Sequence, residues 1–294
     1  MKALLLATGL SIACAISSVA SAPGVDTALV EKETGLKGTM QDSGVFQVSY
    51  PRKDLHPIVA GVKMTPPLGL TAWTSFQKSG SHTMAMGDIV MTEDQVAPVM
   101  DTALANGLDV TALHNHFFWD SPRIMFMHIS GMGDETKLAS AVGKVFAKLK
   151  ETATKKEAVQ TASIEPAKGK LDTAKIDSIL GAKGKLTDGV YKATIGRTTT
   201  MSGMEVGKAM GVNTWAAFAG NDNQAVVDGD FAMLESEVQA VLKALRKANI
   251  KIVAIHNHMT GENPRIIFLH YWGFGPSEKL AQGVKAALDT QQSK

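Results

Sequence analysis

The chain has 294 residues, 45% of them hydrophobic, and a formal net charge of +2. That length allows a large core and room for two lobes. The balance of charge excludes a basic footprint for nucleic acid, so no nucleic-acid partner is expected. In chain order, Lys2, an apolar run over 3–16 and small residues over 17–22 read as a secretory signal peptide spanning 1–22. The run falls short of the roughly 20 residues that span a membrane, so no transmembrane span is expected in the mature chain. Cleavage after Ala20 removes Cys14, the sole cysteine, and leaves no disulfide, cysteine nucleophile or thiolate ligand. Lipidation of Cys14 is the alternative. Either way the expected location is periplasmic or secreted.

Residues 27–36 read as a short helix, and 44–50, 58–64, 70–76 and 84–91 as strands. Thr92-Glu93-Asp94-Gln95 resembles a capping box that opens a helix ending at Asn106-Gly107, although Pro98 argues for a later start. A hairpin over 110–128 and a helix over 136–150, with Leu138, Val142, Val145 and Leu149 on one stripe, complete repeat 1 at 23–151. Residues 152–172 are polar, lack aromatics and read as a linker. Repeat 2, at 173–294, runs through strands at 190–195, 206–210, 212–218 and 226–231, a helix at 235–248, a hairpin at 250–270 and a helix at 276–288. The expected class is α+β, each repeat an antiparallel sheet with helices on one face and a histidine-bearing hairpin.

The two hairpins hold six of the eight histidines. His114-Asn115-His116, Pro122-Arg123 and His128 recur as His256-Asn257-His258, Pro264-Arg265 and His270, all 142 residues on. Trp73, Gly87-Asp88 and Glu93 recur as Trp215, Gly229-Asp230 and Glu235 at the same offset. A short turn centred on Ser121 would place His114 directly opposite His128, with His116 on the same strand face. Three imidazoles so placed can meet one metal at N–metal distances of about 2.0–2.1 Å. The metal candidates are therefore His114, His116 and His128 in repeat 1 and His256, His258 and His270 in repeat 2. Zinc is the first choice and copper the alternative.

Around them, Asp120 and Glu262 are candidates for a fourth ligand. Asp88 and Asp230 are candidates to orient imidazoles from behind. Glu93 and Glu235 are candidate general bases, weighed against a role at helix starts. Arg123 and Arg265 are candidate anion clamps, weighed against ion pairs with Asp120 and Glu262. Trp73 and Trp215 are expected in the core. His82 has Gln224 as its counterpart and His56 has no matching histidine, which separates both from the repeated pattern.

The string from Gly87-Asp88 through His114-Asn115-His116, Pro122-Arg123 and His128, with its second copy running on to Tyr271-Trp272-Gly273, resembles the LppY/LpqO-like family of secreted bacterial proteins. The resemblance covers most of the mature chain. It implies export and a duplicated domain, and it brings no assigned reaction. Phe117-Phe118-Trp119 in the first copy departs from the second and bears on access to that site. The expectation is an exported protein with one three-histidine transition-metal site per repeat; if it is an enzyme, the class expected is metal-dependent hydrolysis with a metal-activated water. Its partners would be the metal ion and a small-molecule or cell-envelope ligand. The alternative is a non-catalytic metal-handling or cell-envelope interaction protein.

Overall fold

Alternating apolar and polar residues build long antiparallel strands with one face for helices and one for chemistry. The computed structural model describes residues 24–155, 161 and 163–291; the segment 1–22, with Cys14, and part of the 152–172 stretch lie outside them. The main sheet has twelve strands. In repeat 1 they are β1 (Gly38–Met40), β2 (Phe46–Pro51), β3 (Thr71–Ser79), β4 (His82–Thr92), β5 (Asp109–His114) and β6 (Ile124–Gly133). In repeat 2 they are β7 (Gly184–Thr187), β8 (Val190–Gly196), β9 (Asn213–Gly220), β10 (Ala225–Leu234), β11 (Lys251–His256) and β12 (Ile266–Gly275). Helices α1 (Thr27–Thr34), α2 (Glu93–Ala105) and α3 (Glu135–Thr154) belong to the first half, and α4 (Thr173–Leu180), α5 (Val238–Lys247) and α6 (Ser277–Leu288) to the second.

The spatial order β1-β2-β3-β4-β6-β5-β11-β12-β10-β9-β8-β7 reads the same from either edge once repeats are matched. The halves therefore share one sheet, joined at its centre where Leu113 on β5 pairs with Ile255 on β11. Helices α2 and α5 repeat the junction. The Gln239 side chain exchanges hydrogen bonds with the Val110 backbone at 3.0 and 2.9 Å, and Arg246 meets Asp101 at 2.8 Å. The main core lies between the sheet and the helices, with Val99, Met127, Phe146, Phe231, Leu245 and Tyr271 buried in it.

Several elements differ from their sequence expectations in bounds. Helix α2 begins at Glu93 despite Pro98, because the capping box of Thr92 and Gln95 forms. Helix α3 runs four residues past the expected end, to Thr154. Residues 58–64 form only a small hairpin, Ile58–Val59 with Val62–Lys63, and this pairs with Asp120–Ser121. The counterpart in repeat 2 joins Thr199–Met201, Met204–Val206 and Glu262–Asn263. Both ribbons seize the histidine loops and hold them against the main sheet.

Candidate metal centres

The strand face away from the helices carries the site. In repeat 2 one cross-strand row places Trp215 on β9 opposite Asp230 on β10, and Asp230 opposite His270 on β12. Repeat 1 has the same row in Trp73, Asp88 and His128. Both tryptophans are thus half-buried on the site face, which corrects their expected place in the core.

The glycine before each aspartate explains the repeated Gly-Asp pair. A Cβ at Gly229 would sit 2.1 Å from the Tyr271 hydroxyl and 2.5 Å from the Trp215 carbonyl oxygen. At Gly87 it would lie 2.7 Å from the Trp73 carbonyl oxygen. Gly229→Ala should therefore destabilise the fold by about 1–3 kcal/mol. Because the Gly229 carbonyl lies 3.3 Å from His270 Nδ1, it should also displace that imidazole. Denaturant melts and the His270 ring resonances check both effects, and a neutral substitution would contradict the close approach.

The register of the hairpins corrects the sequence expectation. His114 faces Phe126, and His128 faces Ala112; in repeat 2 His256 faces Phe268 and His270 faces Ala254. Each pairing is slipped by two residues from the expected one. The cause is the loop: residues 115–123 form no tight turn, since Asp120–Ser121 is engaged by the Ile58–Val59 ribbon. A slip of two preserves the face, so His114 and His128 still meet as diagonal neighbours, Nε2 to Nε2 at 3.1 Å. His116 lies beyond the strand end and returns by stacking on Phe126, with ring centroids 3.4 Å apart. His258 stacks on Phe268 in the same way, at 3.5 Å.

In repeat 2 the ligand atoms of Asp230, His256 and His258 all lie within 4.8 Å of one another, a group that can hold a metal ion. His258 Nε2 is 3.1 Å from His256 Nε2 and 3.2 Å from Asp230 Oδ2. Two ligands on a tetrahedral ion with bonds of about 2.0–2.1 Å stand about 3.3 Å apart, so these separations match a shared ion. His270 stands beside the group, its ring 4.7 Å from that of His256. Its Nδ1 points to the Gly229 carbonyl, which selects the tautomer with Nε2 free. In repeat 1 the rings of His116 and His128 lie 5.1 and 5.2 Å from that of His114.

The electrostatics favour a cation. Burial raises the Asp230 carboxyl from 3.8 to about 6, and burial followed by His270 and His258 lowers His256 to about 4. Asp88 is raised and His116 and His258 are lowered, each mainly by burial. Asp88 Oδ1, Asp230 Oδ1 and His256 Nδ1 are buried without a hydrogen-bond partner. Neutral imidazoles and an under-satisfied carboxylate are the forms that ligate a metal.

The remaining candidates take other places. Asp120 Oδ2 accepts from Ile124 N at 2.7 Å and Glu262 Oε1 from Ile266 N at 3.1 Å, so both acids serve their own loops. Asp230, expected behind the imidazoles, stands among the ligand atoms instead. Glu93 is exposed at the start of α2, 3.8 Å from Arg123. Both line a cavity of about 490 Å³ at the junction of the repeats, together with His114, His256, Met125 and Trp272. Glu235 is exposed, and Arg265 borders a smaller hollow of about 230 Å³ beside Glu262. His56 is exposed and His82 sits at the β3–β4 turn, outside the clusters. The sequence reading missed the shared cavity, which exists only because β5 and β11 abut.

A family model described as Domain of Unknown Function (DUF1259) matches residues 28–148 and again 174–290. No curated protein matches. A crystal structure of a trimeric bacterial microcompartment shell protein PduB aligns over 88% of this chain and 91% of its own, at 13% identity and a TM-score of 0.22. At that score the likeness carries no argument.

Proposed function

We propose a transition-metal-binding function for this chain, which belongs to the DUF1259 family of duplicated domains. The observation that carries it is the convergence of Asp230, His256 and His258 within 4.8 Å. On this reading repeat 2 binds one ion through those three residues, with His270 as the neighbouring imidazole. Repeat 1 binds another through His114, His116 and His128, backed by Asp88. The nitrogen-and-carboxylate donor set suits zinc first and copper second. The LppY/LpqO resemblance and the N-terminal segment add export to the periplasm or beyond.

A metal-dependent hydrolase is the enzyme reading. A cavity of about 490 Å³ that reaches both His114 and His256 supports it. A metal would supply an activated water there. Glu93 would then serve as the base and Arg123 as the anion clamp, with Glu235 and Arg265 at the corresponding places in repeat 2. The exposure of His116 and His258 favours the second reading, a metal-handling protein that exchanges its ion with a partner.

Elemental analysis of the purified protein tests the metal sites. The wild type should retain about one ion per intact cluster, and His114→Ala and His256→Ala should each remove one. Equal metal content in all three proteins would overturn the assignment. Product formation from ester or phosphoester probes, lost on chelation, would then separate the hydrolase from the metal handler.

A further inference from the structure

Three exposed methionines stand together on the site face of repeat 1. Met84 on β4 pairs directly with Met132 on β6, and Met86 follows two residues along β4 on the same face. They are 37%, 58% and 55% exposed. Methionine is ordinarily among the more buried residues. Here three thioethers stand on an open strand surface. Their cross-strand neighbours Gln77, Ser75 and Ser130 include no cation that would repel a metal.

We propose that Met84, Met86 and Met132 form a binding site for Cu(I) that shares no ligand with the two histidine clusters. Directly paired Cβ atoms such as those of Met84 and Met132 lie about 4.5–5.5 Å apart, and Met86 follows Met84 by about 6.6 Å along the strand. Three rotatable bonds then let each thioether sulfur swing toward a common point. Soft thioether ligands select Cu(I) over zinc. The site belongs to repeat 1 alone. The matching positions in repeat 2 are Val226, Asp228 and Phe274, of which Val226 and Phe274 form the equivalent cross-strand pair. The duplicated framework thus carries its own control, since the same strands without the thioethers offer no such ligands. The site uses no residue of the histidine clusters, so it stands whether or not those hold zinc.

The test is anaerobic titration of the zinc-treated full chain with Cu(I) against a chromophoric Cu(I) chelator. Methyl resonances of ¹³C-methyl-labelled methionine are followed in parallel. The wild type should take up one Cu(I) more than the variant Met84→Leu/Met86→Leu/Met132→Leu, and three methionine methyl signals should shift together. Leucine keeps volume and apolarity at exposed positions, so the variant should retain its circular dichroism and its zinc content. Equal uptake by the wild type and the triple variant would overturn the proposal. So would Cu(I) uptake that leaves the methionine methyls unmoved, which would place the ion on the imidazoles, or no uptake at all.

Discussion

In the metal-free protein, Asp230→Asn is expected to raise stability at pH 7 by about 2–3 kcal/mol while abolishing metal uptake by repeat 2. Burial holds the Asp230 carboxyl at about 6 rather than 3.8. Between those values the folded state binds a proton that the unfolded chain does not. Stability from this group is therefore fully present below 3.8 and is lost as pH rises through 6. At pH 7 the folded protein carries a buried charge that an amide would not. The advantage of the variant should be full above about 6, shrink on acidification and vanish below about 4. His256 works in the opposite direction. With a folded value of about 4, it costs stability as pH falls from 6.5 toward 4. Both proteins share that loss, so it cancels from their difference. Added metal should reverse the order at about a thousandfold excess over Kd, where binding stabilises only the protein that keeps its ligand, by about 4.1 kcal/mol. Urea denaturation of both proteins at several pH values, with and without zinc, measures each part. A variant less stable than the wild type at pH 7 without metal would show that Asp230 is paired rather than poised.

Much of this site was legible before any coordinates. The offset of 142 residues named both hairpins, the Gly-Asp pairs and the helix starts, and alternation put His114 and His128 on one face. Four features were not fully legible. The two-residue slip arises because Asp120–Ser121 and Glu262–Asn263 pair with distant ribbons, and no local turn signal reports a partner 60 residues away. The promotion of Asp230 to the ligand group depends on cross-strand neighbours from β10 and β12. The close approach at Gly229 likewise depends on Tyr271 and the Trp215 carbonyl, which only the sheet register brings beside it. The cavity depends on the fusion of two sheets through Leu113 and Ile255, residues that read only as buried strand positions. Met84 and Met86 stand two residues apart on one strand, but only the β4–β6 register brings Met132 beside them.

Arg52→Ala is expected to cost about 2–4 kcal/mol, because it removes the buried charged hydrogen bonds to Val90 and Gln95, while the carboxylate of Asp54 stays in reach of water. Arg52 is fully buried. Its guanidinium donates to both oxygens of Asp54 at 2.9 and 2.7 Å, to the Val90 carbonyl at 2.6 Å and to Gln95 Oε1 at 3.0 Å. Repeat 2 reproduces the device with Arg197, which donates to the Ala232 carbonyl and to Glu237. The acceptors obey the repeat, since 90 and 232, like 95 and 237, differ by 142, whereas 52 and 197 differ by 145. A shift of three residues hid the pair from sequence comparison, yet the geometry returned to it. The reason is mechanical. Arg52 ties the end of β4 to Gln95, the third residue of α2, and Arg197 ties the end of β10 to Glu237, just before α5, so that Arg52 fixes where Glu93 and the cavity wall stand relative to the histidines. A lysine carries its three donors on a single nitrogen and cannot reach the four acceptor atoms that Arg52 meets from three separate nitrogens of its planar fork. Arg52→Lys should therefore recover less than half of the loss. Equilibrium urea unfolding of the wild type and the two variants measures this, and a loss below about 1 kcal/mol for Arg52→Ala would show that water replaces the guanidinium at little cost.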